Sequence, residues 1–303
     1  MGLRLKIIVN PSSGRELARL NIEDMISYLV SRNALTRADI SYTSGSNDAV
    51  KFAREIKPEE YDILVVAGGD GTVNEVITGI MSAKINIPIA VYTCGTVNDF
   101  SVSIGMPTQP SDFASMLMNP RYIKCDCGKI NDSFFLNVAA GGLLSEVAYS
   151  VPSELKTNFG SAAYIMEALR TLGTLKNTIP IKVTTDEKEY NVDATLFFIS
   201  NSQSVGGFRK LMAEAELNDG LLDCLILSAI SYADVMPLLA KVAIGEHLES
   251  DRVIYFQTDK LTISTDSTTE AILDLDGEKG PSLPAQIECI KDALTLIVPN
   301  KED

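Results

Sequence analysis

Ile63-Leu64-Val65-Val66-Ala67-Gly68-Gly69-Asp70-Gly71-Thr72-Val73-Asn74-Glu75 is the stretch whose reading decides the fold. Residues 63–67 form an unbroken apolar run, which reads as a buried strand ended by the two glycines, and residues 72–81 read as the helix that follows. Outward from this strand-turn-helix the same alternation repeats. Residues 5–9 form a strand followed by the turn Asn10-Pro11-Ser12-Ser13-Gly14. Over residues 16–32 the apolar Leu17, Leu20, Met25, Ile26, Leu29 and Val30 recur near helical spacing. A short strand at 39–42 leads to a helix running to about Ile56, with Ser46 as its expected cap, and residues 88–92 read as the next strand. Strands alternating with helices predict a parallel sheet covered by helices.

Beyond Pro120 the texture changes. Strand-like segments at 133–139, 181–185, 192–200, 221–227, 252–256 and 260–264 predict a β-rich second domain, interrupted by amphipathic stretches at 160–172 and 232–244. The last apolar run, 293–298, is expected to return to the first domain. The expected domains are therefore 1–124 with about 292–303, and 125–291, with a cleft between them. There is no internal repeat and no low-complexity linker.

A chain of 303 residues, 46% hydrophobic and 22% charged, has room for two packed cores. A net charge of −14 excludes a nucleic-acid binder, because phosphate neutralisation needs a basic surface. It also disfavours broad adsorption to anionic lipid. Contact with a membrane would use a local patch, for which Arg15, Arg19, Lys156, Lys176, Arg209 and Lys210 are candidates. No apolar run approaches a membrane-spanning length, and the first ten residues are too strand-like for a secretory signal. The odd set Cys94, Cys125, Cys127, Cys224 and Cys289 makes a poor disulfide framework, and the lone His247 has no zinc partner at ligand spacing. A soluble protein of a reducing cytoplasm is expected.

Three glycine-containing turns follow strands of the first domain, at what would be the carboxyl edge of its sheet, where open α/β folds bind ligands. In Gly68-Gly69-Asp70-Gly71-Thr72 the glycines let backbone approach phosphate oxygens, and the next helix offers unpaired N–H groups. Asp70 repels phosphate, so its natural role is to hold Mg²⁺ or orient an acceptor hydroxyl. Asn10-Pro11-Ser12-Ser13-Gly14-Arg15 adds hydroxyls and donors. Gly95-Thr96-Val97-Asn98-Asp99-Phe100 adds a second Gly-Thr and a second carboxylate. Neither GxGxxG after the first strand nor GxxxxGK[ST] is present. Taken singly, such a turn also serves as a tight strand-to-helix connection, and Asp276-Gly277 and Asp219-Gly220 each read as hairpin turns.

The ordered set of motifs is more selective. NPxSG at 10–14, GGDGTxNE at 68–75, GTxNDF at 95–100, a GxxxY opening at Gly160 and Tyr164, NDGxLD at 218–223 and LDGE at 275–278 all occur in sequence. On these, the chain resembles the catalytic region of the diacylglycerol, sphingosine and ceramide kinases over nearly its whole length, and most of all the soluble bacterial diacylglycerol kinases. GGDGT alone is shared with NAD kinases. The resemblance implies an NAD-kinase-like or diacylglycerol-kinase-like α/β domain with a parallel sheet. A larger, β-sandwich-like C-terminal domain follows it. It implies ATP as phosphoryl donor, Mg²⁺, and a lipid alcohol at the inner membrane face as acceptor, diacylglycerol first. By residue, Asn10, Pro11, Ser12, Ser13, Gly14, Thr43, Gly68, Gly69, Asp70, Gly71, Thr72, Val73, Asn74 and Thr96 match ATP-contacting positions.

Asp70, Asp99 and Asp126 match an acidic network around Mg²⁺ and nucleotide. Asp276 and Glu278 match the acids of the LDGE turn, one of them the base; Glu278 has the longer reach and is favoured, with Asp276 its rival. Glu216, Asp219 and Leu221 match a second, structural Mg²⁺ site, Glu216 and Leu221 through their carbonyls. Two positions depart from the pattern: Ala213 stands where relatives commonly have proline, and Arg15 where lysine is frequent. An NAD kinase and a non-catalytic nucleotide-binding scaffold are the rival readings. The LDGE turn weighs against the first, and retention of every named acid against the second. A strand edge in the second domain offers a route to a homodimer.

Overall fold

The structure, a computed structural model, describes residues 2–14, 17–95, 98–142, 178–230, 232–266 and 271–300. The chain divides into two compact units, Met1–Cys125 with Asp292–Asp303, and Asp126–Lys291.

In the first unit β1 (Leu3–Val9), α1 (Leu17–Ser31), β2 (Leu35–Tyr42), α2 (Asp48–Arg54), β3 (Ile63–Gly68), α3 (Asp70–Ala83) and β4 (Ile89–Thr93) alternate as the sequence predicts. All strand pairs are parallel, in the order β2-β1-β3-β4. Every residue of β3 is buried, which explains its unbroken apolar run. The chain leaves β1 toward β2 on one side and then places β3 on the other. That reversal opens a crevice outside the carboxyl ends of β1 and β3. Two short helices, α4 (Asp99–Ser103) and α5 (Pro110–Met118), complete the unit.

Two local expectations change. Strand β2 is twice the predicted length because its first half, 35–38, carries exposed Thr36 and Arg37 and gives no apolar signal. Ser46 does not cap α2. The N-cap is Asn47, at φ 65° and without a side-chain cap, and the helix start is held instead by the Glu75 carboxylate of α3. Glu75 accepts the N–H groups of Asn47 at 2.9 Å and Ala49 at 3.2 Å.

The chain passes through β5 (Arg121–Ile130) into the second unit, which holds β6 (Ser133–Phe135), β7 (Val138–Gly142), β8 (Ile179–Thr184), β9 (Glu189–Ser200), β10 (Leu222–Ser228), α6 (Tyr232–Ile244), β11 (Val253–Thr258), β12 (Lys260–Thr265), β13 (Ile272–Leu275) and β14 (Glu278–Ser282). Strand β15 (Ala285–Val298) leads back, and its Leu296 pairs in parallel with Ile89 of β4. Strand β9 organises the unit: it pairs antiparallel with β8 and β7 along one edge and with β10 along the other. Its side chains alternate between two apolar cores, Phe197 and Ile199 entering one with Ile181 and Leu261, Leu196 and Phe198 the other with Leu225 and Met212. The expected strand over 133–139 is two strands, broken at Leu136-Asn137. The amphipathic stretch at 232–244 is helix α6, whereas that at 160–172 lies outside the described residues. No helix among the described residues is long and apolar enough to cross a membrane.

Candidate active site

The turn after β1 and the turn after β3 are neighbours because β1 and β3 are. Asn10 donates its N–H to the Ala67 carbonyl at 2.8 Å, and its amide Nδ2 to Thr72 Oγ1 at 3.1 Å. Its own Oδ1 accepts the Ser12 N–H at 3.1 Å, shaping the turn. The Gly68 carbonyl accepts the Cys94 N–H at 3.0 Å, which brings in the turn after β4. The three turns approach closely where their glycines lack a Cβ. A Cβ on Gly14, already at φ 61°, would lie 2.3 Å from the Cys94 carbonyl oxygen, and one on Gly95 would lie 2.8 Å from the Gly69 Cα. Thr43, just beyond β2, joins this edge by donating its N–H to Val9 at 2.9 Å.

Asp70 is the first residue of α3, so it sits in the helix's first turn and not in the preceding loop. There its charge meets the positive end of the helix dipole. Its Oδ2 accepts the Asn98 N–H at 3.1 Å, tying the second glycine turn to the third. Asn98 is in the left-handed conformation at φ 56°, and its buried Oδ1 has no partner among the described residues. Asp99, the first residue of α4, is buried. Gly71, Val73 and Asn74 lie in the first turns of α3, while Pro11 and Ser13 complete the β1 turn. Thr96 lies outside the described residues. The set offers backbone donors, glycine-lined space and a carboxylate, which is the chemistry a polyphosphate with a divalent cation requires.

In the second unit, Asp276-Gly277 joins β13 to β14 as a two-residue hairpin, with Leu275 opposite Glu278. Both turn residues have positive φ, 53° and 91°, as a type I′ turn demands. The hairpin reading of this motif is what the structure shows. Asp276 is buried, and its carboxylate accepts three backbone N–H groups: Leu136 at 2.8 Å, Asn137 at 3.0 Å and Val138 at 2.7 Å. These donors come from the break between β6 and β7. Glu278, the first residue of β14, is exposed. Asp274 accepts the Gly277 N–H at 2.8 Å and so fixes the turn, a role that nothing in the sequence pattern announced.

The Asp219-Gly220 turn has a different anchor. Asp126 is fully buried, and its Oδ2 accepts the Gly220 N–H at 2.7 Å while its own N–H reaches the Leu217 carbonyl at 2.7 Å. Asp219 Oδ1 accepts the Leu221 N–H at 2.8 Å, and the Asp219 carbonyl accepts Lys291 Nζ at 3.2 Å. Glu216 is exposed on the approach to the turn. No group of three or more His, Cys, Asp or Glu side chains among the described residues is arranged to hold a metal. A cation here would draw on the single Asp219 carboxylate and on carbonyls. Four residues on, buried Asp223 accepts Tyr255 Oη–H and Gln257 Nε2–H on one oxygen, and burial pushes its carboxyl up to about 6. Of the basic residues considered for membrane contact, Arg19 pairs with Glu23 at 2.8 Å, and Arg209 and Lys210 are exposed. Arg15, Lys156 and Lys176 lie outside the described residues.

Residues 4–130 match the family model of the diacylglycerol kinase catalytic domain, and residues 138–298 match that of the YegS C-terminal NAD kinase beta sandwich-like domain. Over 300 residues the chain is 31% identical to the diacylglycerol kinase of Bacillus subtilis (strain 168), covering 99% of this chain and 97% of that one. It is 33% identical to the diacylglycerol kinase of Staphylococcus aureus (strain JH9), covering 99% and 94%. A crystal structure of a diacylglycerol kinase from Bacillus anthracis str. Sterne superposes with a TM-score of 0.81 at 26% identity, covering 98% of this chain and 97% of that one. An α/β unit with glycine turns at its switch point, joined to a sandwich-like unit carrying an acid hairpin, defines a lipid kinase with ATP as phosphoryl donor. The chain belongs to the diacylglycerol kinase family.

Proposed function

We propose that the acceptor is diacylglycerol and the product phosphatidic acid, with Glu278 as the base. The observation that carries the residue assignment is the unequal state of the two acids in the hairpin. Asp276 has its carboxylate occupied by three backbone N–H groups, whereas Glu278 stands exposed one residue beyond the turn. A carboxylate so occupied shapes the turn; an exposed one can accept a proton. The hydroxyl proton of diacylglycerol passes to Glu278 as its oxygen bonds to the γ-phosphorus. The bond from that phosphorus to the bridging oxygen breaks, and ADP leaves. The substrate class is supported by relatives named diacylglycerol kinases along nearly their whole length.

The turns at 10–14 and 68–74, with Thr43 and Thr96, would hold the nucleotide, and Asp70 and Asp99 would hold its cation. Mg²⁺, when bound, neutralises charge on the β- and γ-phosphate oxygens. Asp126, bonded to Gly220, serves the second acidic turn, where Asp219 with the Glu216 and Leu221 carbonyls would hold a structural ion. The second unit also contains an apolar cavity of about 80 Å³ lined by Leu196, Phe198, Leu211, Leu225, Leu238 and Val242. The enzyme works transiently at the inner face of the membrane.

The test is transfer from radiolabelled ATP to a panel of diacylglycerol, monoacylglycerol, phosphatidylglycerol, ceramide and an undecaprenol in mixed micelles, with NAD as a soluble competitor acceptor. Wild type should label diacylglycerol best, and Asp70→Ala and Glu278→Gln should each lose most of that activity. Equal labelling by all three enzymes would overturn the residue roles. Labelling of NAD alone would overturn the substrate class.

A further inference from the structure

The break between β6 and β7 has more to it than a lost strand residue. Asn137, at its centre, has every polar group in use: its N–H faces the β13–β14 turn, and its carbonyl and both side-chain atoms face the end of β9 and the segment after it, residues 200–204. Its N–H goes to Asp276 Oδ1 at 3.0 Å. Its carbonyl accepts the Asn201 N–H at 2.9 Å and the Ser200 hydroxyl at 3.0 Å. Its Nδ2 donates to the Ser204 carbonyl at 3.0 Å, and its Oδ1 accepts the Ser202 hydroxyl in a short bond. Asn137, Ser200, Asn201, Ser202 and Ser204 are all buried. Neighbouring Val138 closes the contact in both directions, donating to Asp276 Oδ1 and accepting the Asp276 N–H at 2.9 Å. Leu136 donates to Asp276 Oδ2, and its carbonyl accepts Asn201 Nδ2 at 3.3 Å.

Sheet pairing would have consumed these N–H groups. A strand running unbroken through 133–139 would point the amides of Leu136 and Asn137 at a neighbouring strand, not at one carboxylate. The buried side chain of Asn137 supplies the alternative bonds that hold the chain out of extended pairing. The N–H groups so released hold the Asp276 carboxylate at the turn, where its backbone stands at φ 53°.

The geometry points to Asn137 as a positioning residue for phosphoryl transfer: with Ser202 it fixes the Leu136-Asn137-Val138 cradle that grips Asp276, and through that grip it sets where the hairpin presents Glu278. The inference rests on the reading of Glu278 as the base. Asn137 touches neither nucleotide nor acceptor in this scheme and acts only through the turn.

The test is a double-mutant cycle on the full-length enzyme. Ser202→Ala removes one hydroxyl, Asn137→Ala removes the whole amide, and each is made in wild type and in Glu278→Gln. Melting temperature and KM for ATP are measured beside kcat. In the wild-type background each substitution should lower kcat by about 10–100-fold with KM for ATP unchanged, the scale expected when a reacting group is displaced by about 1 Å. In the Glu278→Gln background, where no base remains to be misplaced, the same substitutions should cost less than about 3-fold, so the effects are not additive. Equal losses in both backgrounds would mark a merely structural role and overturn the inference. So would a loss carried by KM, or wild-type kcat in a folded Ser202→Ala enzyme. Should Asn137→Ala not fold, Ser202→Ala decides alone. Glu278→Gln at the wild-type rate would sink the base assignment whatever Ser202→Ala did. A slowed Glu278→Gln beside an unaffected Ser202→Ala would sink the positioning role alone.

Discussion

Two of the Asp-Gly pairs, Asp70-Gly71 and Asp276-Gly277, are built on opposite principles. Around Asp70 the device is vacancy. Gly14, Gly68 and Gly95 stand where a Cβ would collide with a neighbouring backbone or side chain, so the three turns approach closely, and α3 begins at the carboxylate. Around Asp276 the device is saturation. A buried carboxylate takes three backbone donors from a broken strand, and the hairpin beyond it is aimed as a consequence. A site for a polyphosphate needs open backbone donors, so glycine serves it. A site for a proton acceptor needs one carboxylate immobilised by its surroundings and another left exposed, which side chains and strand geometry must provide.

The comparison can be broken most directly at Glu278. Glu278→Gln should reduce kcat by about 10²–10⁴-fold while leaving the melting temperature unchanged; a matching fall in melting temperature would mean that the exposed carboxylate is holding the hairpin. Asp276→Ala leaves three backbone N–H groups without their acceptor in a buried place, and should lower unfolding free energy by about 3–5 kcal/mol in urea titration.

The vacancy principle is sharpened by a pair of alanine substitutions. At Gly14 a Cβ would meet the Cys94 carbonyl at 2.3 Å, whereas at Gly277, also at positive φ, it would meet nothing within 4 Å. Gly14→Ala should therefore lower kcat/KM for ATP by about 100-fold, and Gly277→Ala should cost only the backbone strain, about 1–2 kcal/mol of stability. Similar kinetics for the two would remove the distinction.

Smaller effects lie outside both turns. Glu75→Ala frees the first turn of α2 and should cost about 1 kcal/mol, the value of a helix cap, with amide exchange quickening at Asn47 and Ala49. The Arg4 guanidinium, bonded to Asp62 at 2.7 Å, holds that carboxyl below the usual carboxylate range. Its contribution is thus full above the ordinary carboxylate pKa and is lost as pH falls through the lowered folded value. Because the pair is partly exposed and screened, Asp62→Asn should cost about 0.2–1 kcal/mol at pH 7, and the difference from wild type should vanish in acid.

The sequence pattern carried most of the first unit because its signals are local. A fully buried strand is an apolar run, glycines end it, and an amphipathic helix follows within a few residues. Signals failed where the partner is remote. Asp126 and Gly220 are 94 residues apart, and Asp276 and Leu136 are 140 apart. The strand predicted over 133–139 looked continuous because Phe134, Phe135, Leu136 and Val138 are apolar; that it breaks at Leu136-Asn137 follows from a carboxylate elsewhere in the chain. The cap of α2 failed for the same reason, since Ser46 is adjacent in sequence but Glu75 reaches the helix start through space.

By itself, then, the sequence determined the α/β alternation, the β-rich remainder, the glycine turns after β1, β3 and β4, and the acids worth naming. The tertiary structure alone decided what surrounds each acid. It put Asp70 on the first turn of a helix, turned Asp126 toward Gly220, filled the valence of Asp276 and left Glu278 exposed. Composition and spacing set which groups are present, but the role of a carboxylate is set by the number of donors that reach it. Those donors are backbone amides, present at every non-proline residue and therefore invisible in the sequence until the fold aims them.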